Sequence, residues 1–288
     1  MFSRIVLAFI SICYLQAQSD WRFADPNANL VGGLSWHGVM GSPIGPSLKA
    51  GILKSSAGSA LSGALDVVDA IQLSSTAVDQ DGRTANQWVA ALTGRFDLNA
   101  VSAQLASVGY TPLSYRSVAL LVPAKASSKA VQLALIDSSR ILLGDAAPLR
   151  QAIDRVLDST GAQQNALFTR AGTLAAANDL WATGAGSPFS LYKKKVPDVL
   201  AGLPALAWYS IGLGLTGQPV LRLNLAAVNA ADAAVFVQLL GLVPYVLKVN
   251  PSERQVLQEI WAKSQFTQDA GVAQAVIPLD LLLSALLQ

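Results

Sequence analysis

His37 is the only histidine in the chain. A site that needs two imidazoles, as the common zinc enzyme sites do, is therefore excluded. A Ser–His–Asp arrangement would have to use His37 with Ser35 or Ser42, and no Gly-x-Ser-x-Gly elbow accompanies it. The single cysteine, Cys13, lies in an N-terminal stretch with the pattern of an export signal. Once that stretch is removed, thiolate catalysis, disulfides and cysteine–metal sites go with it. Gly212-Leu213-Gly214-Leu215-Thr216-Gly217 matches Gly-x-Gly-x-x-Gly by letter, but Gln218-Pro219 and an alternating strand follow it. A dinucleotide site needs a helix N-terminus there, so the motif reads as a hairpin turn. Gly184-Ala185-Gly186 does precede a predicted helix, and reads as a tight strand-to-helix turn. Ser190-Leu191-Tyr192-Lys193 lacks the companion motifs of penicillin-recognising enzymes, and Lys193–Lys195 reads as a solvated helix face. Asp79-Gln80-Asp81-Gly82 lacks the distal acid of a calcium loop and carries Arg83. No cofactor, metal site or catalytic residue is therefore expected. A carboxylate pair formed only in space stays open.

The residues best suited to touching a partner are Trp36, His37, Trp181 and Trp208. Trp36 and Trp181 close predicted strands, and Trp208 falls on the more polar side of its strand. Trp88 falls among Ala90 and Leu92 and reads as core. Trp208→Ala is expected to weaken partner binding with little effect on melting.

These side chains must be held by a sheet. Ile71 and Leu73 alternate with Gln72 and Ser74, and Tyr209, Ile211 and Leu213 alternate with Ser210 and Gly212. Period-two alternation predicts half-buried strands in two hairpins, each leading into a helix, Asn99–Val108 and Ala230–Leu247. Before each hairpin comes a strand, Asn29–Trp36 or Asp179–Ala182, then Gly-Ser-Pro at 41–43 or 186–188 opening a helix. After each comes another hairpin, 131–143 or 265–278, and a Pro-Leu pair opening a helix at 148 or 278. Helices are also predicted at Leu149–Asp158, Ala166–Ala177 and Ser252–Lys263. The final one is almost all leucine apart from Asp280, Ser284, Ala285 and Gln288.

The predicted organisation is a signal peptide at 1–17, a first α+β module at 18–160 and a second at 161–288. Each module is a mainly antiparallel sheet with helices on one face, and a ferredoxin-like arrangement is one candidate topology. Formal net charge is +2, with 20 basic and 18 acidic residues, which gives no electrostatic case for nucleic acid. Ile5–Leu15 is too short to span a bilayer, and the uncharged run 199–221 is broken by glycines and prolines. No membrane span is expected after signal cleavage, and the destination is periplasmic or extracellular.

The segment Asp20-Trp21-Arg22-Phe23-Ala24-Asp25-Pro26, leading to Leu30-Val31-Gly32-Gly33 and Ser42-Pro43, resembles the opening of exported bacterial proteins of unknown function that have two related α+β halves. That resemblance implies export and duplication, and no activity. The sequence thus points to a non-catalytic exported protein that acts on a protein partner or on a second copy of itself. An envelope hydrolase using carboxylates or serine is the alternative. A periplasmic carrier of an apolar ligand is a third, and it would need an enclosed pocket lined by leucine and tryptophan.

Overall fold

In the computed structural model, the described residues are 20–53, 63, 66–80, 83–125, 130–160, 165–186, 203–246 and 250–280. The expected signal peptide, the turn expected at Asp81-Gly82, Ser187-Pro188, the Ser190–Lys193 motif, Lys193–Lys195 and the helix expected beyond Asp280 lie outside them.

Among the described residues twelve strands form one sheet, all neighbours antiparallel. In chain order they are β1 (Leu30–Ser35), β2 (Val68–Gln80), β3 (Arg83–Gly94), β4 (Tyr110–Tyr115), β5 (Val118–Pro123), β6 (Gln132–Asp137), β7 (Arg140–Gly144), β8 (Leu180–Ala185), β9 (Leu206–Gly214), β10 (Val220–Ala227), β11 (Gln265–Asp269) and β12 (Val272–Pro278). The order across the sheet is β11-β12-β10-β9-β8-β1-β2-β3-β7-β6-β5-β4. The described helices are α1 (Trp36–Met40), α2 (Gly45–Leu53), α3 (Leu98–Ser107), α4 (Ala146–Leu157), α5 (Ala166–Ala177), α6 (Ala233–Val246) and α7 (Pro251–Ala262).

Local chemistry sets the ends of these elements. The Asp97 carboxylate accepts from the amides of Asn99 and Ala100 at the start of α3. Asn165 accepts from Phe168 N in α5, and Asn250 with Glu253 makes a reciprocal capping box on α7. Arg116 and Ser117, both at positive φ, turn β4 into β5, in the manner of two-residue hairpin loops.

The structure departs from the sequence reading in two ways. The expected two sheets are one, because β1 pairs with β8 from Leu30↔Gly184 to Leu34↔Leu180. The helices, expected on one face, lie on both. On the front, Trp36 of α1 and Val101 and Leu105 of α3 pack on Leu133, Leu135 and Ile141, while Ile260 of α7 packs on Ala275 and Ile277. On the back, Leu149 and Ile153 of α4 and Leu167, Phe168 and Leu174 of α5 enclose Trp21 and Phe23 against Val31, Val89, Ala91 and Leu142. Register fixes which side chains share a face. One front row runs Ile141, Leu92, Ile71, Leu34, Leu180, Leu213, Leu221, Ile277 across eight strands. The adjacent back row runs Leu142, Ala91, Gln72, Gly33, Trp181, Gly212, Arg222, Val276. Trp88, read as core, is only half-buried on the front, whereas Val89 and Ala91 behind it are fully covered by the back helices.

Candidate functional site

The back row is where the sheet is shaped. Trp181 stands between two glycines in cross-strand register, Gly33 on β1 and Gly212 on β9. A Cβ on Gly33 would lie 2.5 Å from Trp181 Cζ2, and one on Gly212 would lie 2.5 Å from Asn178 Cγ. The bare backbone thus lets the indole and the Asn178 amide lie flat on the sheet. The row above carries Arg140, Thr93, Ala70 and Ser35, with nothing bulky between the arginine and the serine. The result is an open groove across the strands at the C-terminal end of α5. Its two cavities, about 480 Å³ and about 300 Å³, share Ser35, Ala175 and Asn178.

The ends of the groove are charged. At one end Asp20 takes Arg22 through Nε and Nη2, and Arg140 Nη2 lies 2.6 Å from its Oδ2. Burial works against the Asp20 charge, but hydrogen bonds from the Arg22 side chain and backbone and from Arg140 outweigh it. They hold the carboxyl well below the usual carboxylate range. At the other end Arg222 Nη1 donates to Asn178 Oδ1 at 3.1 Å, and Asn178 Nδ2 donates to Leu174 O. A guanidinium beside the last turn of α5 complements the negative end of that helix. Asp179 accepts from Leu215 N at 2.6 Å and from the backbone and hydroxyl of Thr216. Its Oδ1 lies so close to Gly38 that a Cβ there would be 1.9 Å away, which ties the start of α1 to the β9–β10 turn. The Gln72 amide lines the larger cavity and has no hydrogen-bond partner among the described residues.

The contact residues named from sequence are scattered rather than gathered. Trp36 opens α1 instead of closing β1, and is 3% exposed in the front core. Trp181, 4% exposed, meets Trp21 edge-on at 5.9 Å and also lines the larger cavity. Trp208 is half-buried on the back with the Arg170 guanidinium over its ring at 4.6 Å. His37 is open, its side chain 71% exposed, and Nε2 lies 3.1 Å from Asp69 Oδ1. Ser42 Oγ donates to Val39 O at 2.6 Å, and Ser35 Oγ accepts from Gly38 N, so both hydroxyls are engaged in capping α1. Gly212–Gly217 spans the end of β9 and the turn to β10, as a hairpin turn requires.

The front face carries a second feature, which sequence reasoning missed. Its apolar rows continue without a break, but the helices that cover them stand in two banks. The first bank, α1 and α3, seats against the β1–β7 side, and the second, α6 and α7, against β10–β12. Between them Leu180 is 42% exposed and Ile211 is 37% exposed, whereas Ile141 and Ile277 at the ends of the row are buried. Ile44, just after α1, packs against the Ile260, Ala275 and Ile277 core of the second bank, joining the banks at one end. An apolar trough therefore runs down the centre of the sheet. The small residues Gly32 and Ala182 lie on its floor, in register with Leu73 and Ile211.

These features define an α+β protein on one broad antiparallel sheet. No family model matches the chain, and no curated relative does. Two solved structures match it in fold, crystal forms III and I of the Treponema protein TP0453. Each aligns over 94% of this chain and 98% of that one at 10% identity, with TM-scores of 0.58 and 0.57. At that identity the likeness speaks to the fold alone. No described helix is long and apolar enough to cross a membrane.

Proposed function

We propose that this chain is an exported protein that works by binding, and that its principal contact surface is the front trough. The observation that carries this reading is the exposure of Leu180 and Ile211, on neighbouring strands at the centre of an apolar face whose margins, at Ile141 and Ile277, are buried. Apolar side chains left open in a continuous patch favour an apolar partner, because covering them releases water at about 25 cal/mol per Å². The occupant is an apolar helix of a partner protein or of a second copy. A second reading, a carrier of an apolar small molecule, draws on the same trough. Against a carboxylate pair working as acid and base stands the state of Asp20, which two guanidiniums hold ionised and so deprive of a proton to give.

The chain also reads as two related halves, 18–160 and 161–288, fused through β1 and β8. Outward from that pair the strands run β1-β2-β3-β7-β6 on one side and β8-β9-β10-β12-β11 on the other. A front helix follows the third strand of each run, α3 after β3 and α6 after β10.

Affinity capture from the native envelope with the mature protein, followed by native mass spectrometry, tests the binding reading. Leu180→Glu and Ile211→Glu should each abolish a captured protein or a retained apolar molecule while leaving the melting temperature within a few degrees, as both side chains are already open. Capture that survives both changes refutes the trough as the contact surface.

A further inference from the structure

From the back groove we infer a second binding site, for a neutral, hydroxyl-rich chain such as an oligosaccharide lying across the strands. It goes beyond the front-face reading and does not depend on it. An anion in the groove would meet Asp20, Asp69 and Asp179, and also the carbonyl end of α5 at Ala175–Ala177. A cation would meet Arg140 and Arg222. An apolar ligand would strip water from the Gln72 amide, which has no partner among the described residues, and from the remaining N–H groups of Arg222, whose one hydrogen bond among those residues is to Asn178. A hydroxyl both donates and accepts, so it satisfies guanidinium and amide donors on one side and carbonyl and carboxylate acceptors on the other.

Shape supports the same class. The two cavities meet at Ser35 and Asn178, and the wall residues Arg140 on β7 and Arg222 on β10 are six strand spacings apart. At about 4.8 Å per spacing this is at most about 29 Å, room for several sugar rings in line. The floor is kept low because Trp181 and Asn178 pack down over Gly33 and Gly212, and because the lining between Arg140 and Arg222 runs through the small residues Thr93, Ala70, Ser35 and Gly214.

The test is calorimetric titration of the mature protein with three probes of matched length: a neutral glucose heptamer, an oligogalacturonate and an oligoglucosamine, backed by an array of neutral glycans. A neutral oligosaccharide should bind, with an affinity insensitive to salt between 50 and roughly 500 mM. Gln72→Ala and Arg222→Gln should each weaken it by about tenfold or more. Gln72→Ala removes a side chain with no hydrogen-bond partner among the described residues, so its fold is secure even where Arg222→Gln loosens the end of α5. Ile211→Glu on the front should leave glycan binding unchanged, which separates this inference from the trough reading. The inference is overturned by any of three results: no neutral glycan binds, a charged probe binds more tightly with salt-suppressed affinity, or Gln72→Ala binds as the parent does.

Discussion

Gly33→Ala puts a single methyl where the structure has none to spare. Its carbon would sit 2.5, 2.7 and 2.9 Å from Cζ2, Cε2 and Nε1 of Trp181. Carbon atoms prefer about 3.5–4.0 Å, so the overlap approaches ~1 Å along one edge of the ring. The indole has little freedom to retreat. It is buried, Trp21 meets it edge-on at 5.9 Å, and Trp21 in turn lies against Phe168 at 5.5 Å. Overpacking of this kind costs about 1–3 kcal/mol, and the rigid neighbours place Gly33→Ala near the upper end. For a chain of this size each kcal/mol moves the melting temperature by about 2–4 °C, so a fall of roughly 6–12 °C is expected. Urea unfolding should show a lower midpoint with an unchanged slope. Gly172→Ala in α5 is the control. A Cβ there meets nothing within 4 Å, and replacing a mid-helix glycine should add about 0.5–1 kcal/mol. Trp181→Phe in the Gly33→Ala background should recover part of the loss, a coupling that a double-mutant cycle reads directly. If Gly33→Ala melts within about 1 °C of the parent, the packing of Trp181 over β1 is not as described and the groove floor is wrong with it.

Three further outcomes follow from the same geometry. Because the folded-state pKa of Asp20 is depressed, its contribution is complete above the unfolded value of about 3.9 and is lost as pH falls below it. Acid unfolding of the parent should therefore steepen below about pH 4, and Asp20→Asn should flatten that part of the curve while lowering stability at neutral pH. Asn250→Ala breaks the capping box at the start of α7 and should cost about 1 kcal/mol in a urea titration. Trp208→Ala removes the ring under Arg170 and should cost about 1 kcal/mol, more than the near-zero effect expected from sequence, with Trp208→Phe recovering much of it.

How far the sequence could be read depends on where each signal lies along the chain. The hairpins β2–β3, β9–β10 and β11–β12 were legible because alternation and turn residues are local. So was α7, whose Asn250, Pro251 and Glu253 announce its start. β4 was not, since Tyr-Thr-Pro-Leu-Ser-Tyr neither alternates nor avoids proline, and proline is tolerated there because β4 is an edge. The second helical face was hidden for a different reason. On β3, Val89 and Ala91 alternate with Ala90 and Leu92, so both sides are apolar and period two cannot say which is wet.

Both candidate sites were out of reach of any reading along the chain, because each is a row across it. The trough floor takes Leu180 and Ile211 from strands that are legible singly, yet their exposure depends on where α1, α3, α6 and α7 stop. The groove draws on seven neighbouring strands, and Gly33 and Gly212 acquire meaning only when register sets them on either side of Trp181. Parity then does the rest. On β1 and β8, Leu34 and Leu180 face the apolar front while their neighbours Gly33 and Trp181 face the groove. A one-residue slip in β8 would put Trp181 among the leucines and Leu180 in the groove. The unbroken Leu/Ile row on the front is what forbids that slip, so the apolar face fixes the register that builds the polar one.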